Sequence, residues 1–403
     1  MELFWLEHKK LWRKKIVKIC VLLCFVYYVI FGSILSFQWF SFGSSDDYTS
    51  AFGNNFDGYT VIKDSQEYAL SFGGELTDET LQKIVSDYQQ MEADGMEEEL
   101  EKTDWQIVNS WLGTLYPELR DTGNYKTMIS YVDPDKLTGF YERRQQVLDE
   151  FLEVSGQVGA EKEYLHQIDG KVKKPFHYEW VEGWSTLLGS MVADLGVVMA
   201  LFLGIVLSSL FAGEWHDNTS TLVLTTRNGW GKIALAKILT GLAFTVELFA
   251  LLAVSIVISQ LFFMGTAGWD MPIQNIKLIA VAPMNMLQAE IYEYAFVLLG
   301  AIGFAGIVMF ISAAVKNNVL TLLLSLAVVY GPMLIVEYLP YEMQKALDLI
   351  PLVGSSTDIF RTNTFRIFGK LIWSPYLLIT IPVLIGILCM PFAIKSWSRR
   401  MKA

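Results

Sequence analysis

Residues 187–211 have the sequence LLGSMVADLGVVMALFLGIVLSSLF. Asp194 is the only charged residue in this run. About 20 consecutive, mainly apolar residues are enough for a helix to cross the hydrocarbon core of a membrane. Because backbone polar groups cannot stay unpaired in lipid, the run predicts a membrane-spanning helix. Of the 403 residues, 53% are hydrophobic and 18% are charged, against about a quarter charged in soluble domains, which favours a membrane protein.

Further apolar runs predict more spans of the same kind. The fourth and fifth are separated only by Lys316, Asn317 and Asn318, so the link between them is very short. The predicted fold class is an all-α polytopic membrane protein. Its six predicted transmembrane helices are Ile16–Phe37, Leu187–Phe211, Ile238–Phe263, Ala295–Val315, Val319–Tyr338 and Leu371–Ile394.

The formal net charge of −11 conceals two blocks of opposite sign. Residues 41–182 hold 29 Asp or Glu and 12 Lys or Arg, a net of −17, so the rest of the chain is about +6. Basic residues flank the first and last spans, and cytoplasmic loops are enriched in Lys and Arg. Both termini are therefore predicted to be cytoplasmic. These basic residues are Lys9, Lys10, Arg13, Lys14 and Lys15, then Lys395, Arg399, Arg400 and Lys402.

The same patterns divide the chain into parts with different surroundings. The segments between the spans alternate between the two sides of the membrane, which makes the large acidic block extracellular. The predicted parts are a cytoplasmic amphipathic helix (1–15), the first transmembrane helix (16–40), an acidic extracellular domain (41–182), and the other five transmembrane helices (183–403), with a cytoplasmic loop (212–237) and an outer re-entrant segment (340–370).

The extracellular domain is predicted to be mainly helical with some extended chain (α+β). Residues 76–102 predict a helix capped by Thr77, and residues 133–155 carry apolar side chains at helical spacing. Residues 57–74 predict extended structure. The run Glu97–Glu99 predicts a solvated face and no metal site, because no D-x-D-x-D loop with Gly accompanies it.

Motifs of catalysis are missing from the sequence. There is no G-x-x-x-x-G-K-[ST] nucleotide loop, no H-E-x-x-H and no G-x-S-x-G, and the four histidines are scattered. The three cysteines, Cys20, Cys24 and Cys389, all lie in predicted spans, so the acidic domain has no disulfide. The chain is therefore predicted to have no enzymatic activity of its own and no cofactor or metal.

Three acidic residues lie in or near predicted spans: Asp194, Glu247 and Glu293. A carboxylate in a membrane is costly and usually faces a cavity or a partner. Glu247, near the middle of its span, is predicted either to line a translocation path or to make a helix–helix contact. Asp194 is a second path candidate, although a structural contact is favoured for it, while Glu293 is assigned to the outer interface.

The polar segment after residue 211 has an acidic start and a basic end. A short helix over Glu214–Thr221 would place acidic residues at its positive end, and Arg227 and Lys232 would follow at the headgroups. Such an element suits docking of a cytoplasmic partner. An ordinary connector between two spans is the alternative from the residues alone.

The stretch GEWHDNTSTLVLTTRNGWGKIALAKILTG, residues 213–241, resembles the loop between the second and third spans of ABC-2 type transporter permeases. That family has a Glu after the second span, then small hydroxyl residues and Leu, a T…R turn, and a Lys opening the third span. This chain departs from the pattern in having TTRNGW where the family usually has a Pro before the Arg. The amphipathic N-terminus and the six spans are similar too.

The resemblance implies a permease subunit that binds a separate ATPase, which holds ATP and Mg. It implies ATPase docking through Glu214, His216, Asp217, Thr219, Ser220, Thr221 and Arg227. It also implies a second permease chain, as a homo- or heterodimer, surrounded by membrane lipids and with no nucleic acid. The large outer domain looks like the elaborated Gram-positive members, some of which export peptide antibiotics or other amphipathic substrates in antimicrobial peptide resistance.

Two other functions remain as alternatives. A membrane-anchored receptor or sensor would use its acidic outer domain to attract cationic peptides. A secondary transporter would work through Glu247 and should show inverted repeats, which the sequence does not show.

Overall fold

Five helices of this chain are long and apolar enough to cross a membrane, which is the character of a multi-pass membrane protein. The computed structural model describes residues 2–41, 66, 73–95, 105–121, 127–188, 192–219, 231–354 and 361–399. The five helices cover Asp194–His216, Gly231–Phe262, Met286–Val315, Asn318–Tyr338 and Ser374–Ser398. The first predicted span lies on a further helix, Lys15–Ser41, with side chains described to residue 29, so its crossing stays a prediction.

The described chain is mostly helical, with two small antiparallel strand pairs. In chain order the helices are α1 (Glu2–Arg13), α2 (Lys15–Ser41), α3 (Asp78–Ala93), α4 (Trp105–Leu115), α5 (Phe140–Val154), α6 (Ala160–Asp169), α7 (Glu182–Thr186), α8 (Val192–His216), α9 (Gly231–Met264), α10 (Met286–Val315), α11 (Asn318–Ile335), α12 (Tyr341–Leu347) and α13 (Ser374–Arg399). The strands are β1 (Gly74–Leu76), paired with β2 (Phe176–Tyr178), and β3 (Thr364–Ile367), paired with β4 (Lys370–Trp373).

Two membrane helices begin earlier than the hydropathy pattern predicts. Helix α9 starts at Gly231, before the predicted Ile238, and α10 starts at Met286, before the predicted Ala295. The hydropathy pattern places each start after a charged residue, Lys237 or Glu293, because charged residues are costly in lipid. Both side chains are instead buried in protein, with exposed fractions of 2% and 0%, so the helices continue through them.

Helix α10 lies between α8 and α13 and makes the most extensive contacts of the bundle. On one side the Ser312 hydroxyl donates to the carbonyl of Ser208 (2.7 Å) and accepts the N–H groups of Phe211 and Ala212 (3.1 Å each). On the other side Gly303 of α10 packs directly on Gly386 of α13. Small residues let membrane helices approach closely, and here they bring two backbones into contact.

Gly386→Ala is expected to destabilise the bundle by about 1–3 kcal/mol, because the added methyl would overlap the Gly303 backbone and separate α10 from α13. The measurement is the Tm of the purified chain in detergent. Gly331→Ala in α11 is the matched control, since its Cβ would meet open space and Ala favours a helix. Equal Tm values for the Gly386 variant and the wild type would contradict the close backbone contact.

The described part of the acidic domain is built from helices around an aromatic core. Trp111 meets Phe140 and Tyr178 edge-on, at ring-centroid distances of 6.3 and 5.4 Å. The predicted cap is confirmed, because the Thr77 hydroxyl accepts the N–H of Thr80. The helix predicted over 133–155 begins only at Phe140, after a short 3-10 turn at Pro134 and a left-handed Gly139 (φ 72°). Residues 57–74, apart from helical Gln66 and the start of β1, and Glu97–Glu99 lie outside the described ranges.

The connection between α9 and α10 is folded against this domain. Arg144, fully buried on α5, donates to both carboxylate oxygens of Asp169 (3.1 and 2.6 Å) and to the carbonyls of Leu278 (2.7 Å) and Ala280 (3.1 Å). The Trp111 indole N–H donates to the carbonyl of Asn275 at 2.8 Å. The domain is therefore fixed to the segment that joins two membrane helices.

The predicted re-entrant segment 340–370 contains α12 and most of the β3–β4 hairpin. Leu352 is 3% exposed and packs against Gly300 of α10. Thr364 in β3 donates to the side-chain oxygen of Gln157 at 3.0 Å, which ties the hairpin to the acidic domain. Residues 355–360 lie outside the described ranges, and a re-entrant path stays a prediction.

Candidate functional site

Helix α1 packs across α9 at the end of the bundle where α8 stops and α9 starts. Leu11 is buried against the bundle, and the Trp12 ring meets that of Phe244 at 5.7 Å. Lysines stand between the apolar residues of α1, and Lys9 is exposed. The apolar side of α1 thus packs on the bundle. Its charged side chains lie beside that apolar side, where they can form ion pairs.

Charged residues from three helices meet beside α1. The Lys237 ammonium of α9 lies 2.8 Å from a carboxylate oxygen of Glu214 on α8 and 2.8 Å from one of Glu7 on α1. Lys10 of α1 also donates to Glu214, and the Thr219 hydroxyl donates to the second oxygen of Glu214. These five residues are called the Glu214 cluster below.

The Glu214 cluster joins α1, α8 and α9 strongly because its ion pairs are buried. Glu214 is 4% and Lys237 is 2% exposed, and the two acids and two lysines balance in charge. Burial alone would lower the pKa of Lys10, but the hydrogen bond and the charge of Glu214 raise it above its ordinary value. The charge and the hydrogen bond of Glu214 thus favour the ionised form of Lys10. Removing one partner of a buried ion pair would leave an uncompensated buried charge.

Lys14 lies on the same side and differs from Lys10. Burial, followed by the charges of Lys237 and Lys10, lowers the pKa of Lys14 below its ordinary value, and its ammonium donates to the Ser209 hydroxyl at 2.9 Å. A cavity of about 30 Å³ lies among these groups, which is large enough for a water molecule. The site joins three helices.

The prediction of a short helix that begins at Glu214 is wrong, because Glu214 lies in the last turn of α8, which ends at His216. The chain after α8 folds back onto the Glu214 cluster. Asn218 takes a left-handed conformation (φ 56°), which Asn tolerates better than most residues. The N–H of Thr219 then donates to the carbonyl of Glu214 at 3.0 Å, and the N–H of Asp217 to that of Gly213 at 2.9 Å. This helix-ending turn brings the Thr219 side chain to the Glu214 carboxylate.

The predicted docking residues fall into three groups. Glu214 and Thr219 point into the cluster, and both carboxylate oxygens of Glu214 are used within the chain. His216 and Asp217 are exposed at the end of α8. Ser220, Thr221 and Arg227 lie outside the described residues. A role of any of them in docking stays a prediction, and His216 and Asp217 are the described residues whose side chains are presented outward.

The first predicted path residue, Glu247, contacts α1. Its side chain is 43% exposed, one carboxylate oxygen lies 3.2 Å from the His8 ring, and the Trp12 indole donates to the other at 3.0 Å. Helix α1 therefore crosses α9 between Lys237 and Glu247. These contacts match the helix–helix alternative for Glu247, and a role in transport stays a prediction.

The second candidate, Asp194, lies in the first turn of α8, at the opposite end of the bundle. It is partly buried and within electrostatic reach of Tyr27 and Tyr28 on α2. The structure thus brings neither Asp194 nor Glu247 into the Glu214 cluster.

A buried acidic pair on α10 was missed by the sequence analysis. Glu290 is 4% and Glu293 is 0% exposed, and their four carboxylate oxygens make no hydrogen bond within the described part of the chain. The sequence places Glu293 at the outer interface and gives no prediction for Glu290. The acidic spacing of three residues within the run QAEIYEYAF was the available signal, but the predicted span began after it.

Comparisons with protein-family models, curated proteins and solved structures found no match to this chain. Among the described residues, no group of three or more His, Cys, Asp or Glu is placed to hold a metal ion. The function must therefore be argued from the arrangement of the chain's own residues.

Proposed function

We propose that this chain is the transmembrane permease subunit of an ABC transporter, which exports an amphipathic or peptide-like substrate across a bacterial plasma membrane. The observation that carries the proposal is the Glu214 cluster. It ties the N-terminal helix to the end of α8 and the start of α9, the two spans that flank the polar loop. A force applied to that loop would thereby reach three helices together.

In this proposal the cluster lies on the cytoplasmic side, where a separate ATPase subunit binds ATP and Mg. The ATPase contacts the exposed end of α8 and the polar residues that follow it. ATP-driven closure of the ATPase pair shifts α1, α8 and α9 as a unit, because buried ion pairs join them. A second permease chain completes the path, which opens outward by rigid-body motion of helices.

Asp217→Lys is expected to weaken ATPase association by about tenfold, equivalent to about 1.4 kcal/mol, because it reverses an exposed charge at the proposed contact. The readout is the amount of ATPase that copurifies from native membranes with equal amounts of permease. Glu337→Lys, an exposed acid at the opposite end of the bundle, should leave association unchanged. Unchanged association for Asp217→Lys and His216→Ala together would count against docking at the end of α8.

The proposal itself is tested by mild detergent purification from native membranes and mass spectrometry of bound proteins. A stoichiometric soluble subunit with a Walker A motif is the expected result. Repeated purification of intact, folded chain without any ATPase would contradict the proposal.

A receptor or sensor is the second candidate, and the docking of the acidic domain on residues 265–285 favours it. The buried Arg144 side chain bonds to the carbonyls of Leu278 and Ala280, so a change in the domain would reach α9 and α10. The net negative domain suits cationic peptides. Peptide binding to the intact protein without transport would support this candidate.

A further inference from the structure

The acidic pair Glu290–Glu293 lies inside the bundle near the domain end of α10. The two side chains are three residues apart on a helix, so they lie on the same face. With exposed fractions of 4% and 0%, both are removed from solvent. None of their four carboxylate oxygens makes a hydrogen bond with another described residue.

No cation accompanies this pair in the described chain. None of the described Lys, Arg or His side chains forms an ion pair with Glu290 or Glu293, and none exerts an electrostatic effect on them. Lys237, the buried lysine of the neighbouring helix α9, is held by Glu214 and Glu7 near the other end of that helix. An unpaired carboxylate ion in such surroundings is strongly disfavoured, and two adjacent ones repel each other as well.

The groups around the pair come from several helices. The hydroxyl of Tyr294 on α10 lies near Glu290, but the two side chains do not have the geometry of a hydrogen bond. The Tyr294 ring packs on Phe249 of α9, with 6.1 Å between the ring centroids. Tyr28 of α2 lies within electrostatic reach of Tyr294. It is fully buried, and among the described residues its hydroxyl has no hydrogen-bond partner. Beyond Tyr28 lies Asp194 of α8.

The remaining neighbours add no charge. On α10 itself, the Tyr292 hydroxyl is turned away to the carbonyl of Pro375 at 3.0 Å. Within the described ranges, α11 and α13 contribute no titratable group that acts on the pair. The site therefore consists of two carboxyls with buried phenol hydroxyls from two helices and no positive charge.

We propose that Glu290 and Glu293 form a proton-binding site in the interior of the bundle, with the carboxyls protonated in the closed arrangement of helices described here. A proton neutralises each carboxyl without requiring a cavity, whereas no described group of ligands is placed to hold a metal ion.

This site goes beyond permease function and does not depend on an ATPase. When the domain end of the bundle opens, water reaches the pair and ionisation becomes favourable, because the cost of burial disappears. Opening would therefore release protons, and closure would take them up. A transport cycle built on this chain would respond to the pH of the compartment at that end.

Infrared spectroscopy of the purified full-length protein tests the proposal. At pH ~7, well above the ordinary glutamate pKa of about 4.3, the wild type should show the C=O absorption of protonated carboxyls. Glu290→Gln and Glu293→Gln should each reduce that band, and the double variant should lose both contributions. Glu337→Gln, at an exposed position, should leave the band unchanged. A wild-type spectrum without the band, or a double variant that keeps it entire, would overturn the proposal.

Thermal stability gives a second, independent readout. A neutral amide replaces a neutral acid, so the double Gln variant should match the wild-type Tm at pH ~4, where the glutamates of the unfolded chain also hold their protons. At pH ~7 the double variant should be the more stable of the two. As pH rises, the unfolded chain loses these protons and the folded chain keeps them, so the wild type should lose stability. The double variant should lose less. If the pair were instead ionised around a bound cation, the double variant would already be less stable at neutral pH, which would refute proton binding.

Discussion

Arg144→Met should lower the free energy of unfolding by about 3–5 kcal/mol, the usual cost of breaking a buried ion pair. The substitution leaves the Asp169 carboxylate buried without its partner and removes the donor to the carbonyls of Leu278 and Ala280. Unfolding of the full-length protein, followed by tryptophan fluorescence, measures the loss. Trp111 is a suitable reporter because it is buried in the same domain core.

Two further variants separate the causes of this loss. Arg366→Met breaks the exposed pair with Glu161 and should change stability little, since exposed ion pairs contribute little. The double variant Arg144→Met/Asp169→Leu should recover part of the loss, because it removes the unpaired charge. The part of the stability that is not recovered would be the contribution of the hydrogen bonds from Arg144 to the two carbonyls. Wild-type stability in Arg144→Met alone would contradict the buried pair.

Lys237→Met should destabilise the joint between α1 and the bundle by about 3 kcal/mol, at the lower end of the cost of breaking a buried pair. Glu214 keeps Lys10 in this variant, whereas Glu7 loses the lysine that ties α1 to α9. Helix α1 should therefore detach more often. The rate of tryptic cleavage within α1, at Lys9 or Arg13, is the measurement, and it should rise.

Lys9→Met is the matched control because Lys9 is exposed on the same helix. It removes one tryptic site and should leave cleavage at Arg13 at the wild-type rate. If Lys237→Met also left cleavage at Arg13 unchanged, the Glu214 cluster would not hold α1 in place.

Local features of the fold were predictable from the sequence. Hydropathy located the five long helices, since uncharged runs have few alternatives to a buried helix. Thr77 followed by acidic residues marked a helix start, as observed. The hydropathy pattern predicts the start of α9 too late. Hydropathy counts Lys237 as a cost in the membrane and takes no account of its ion pair with Glu214.

The contacts that could not be predicted join residues that are far apart in the sequence. Glu7 and Lys237 are 230 residues apart, and Arg144 bonds to a carbonyl 134 residues away. Neither pairing leaves a local pattern in the chain. Glu214 was selected as a site residue from the sequence, but its burial beneath α1 depends on helix packing. The exposed neighbours His216 and Asp217 could be told apart from it only in three dimensions.

Helix α9 has 34 residues and is therefore roughly 51 Å long. One end is held by the acidic domain, where the Trp180 indole donates to the carbonyl of Met264 at 3.2 Å. The other end is held by Glu7 through Lys237. The helix is thus held near both ends, and because it is stiff, a tilt imposed at one end would move the other end in the opposite direction. Such a movement needs no chain of small side-chain rearrangements.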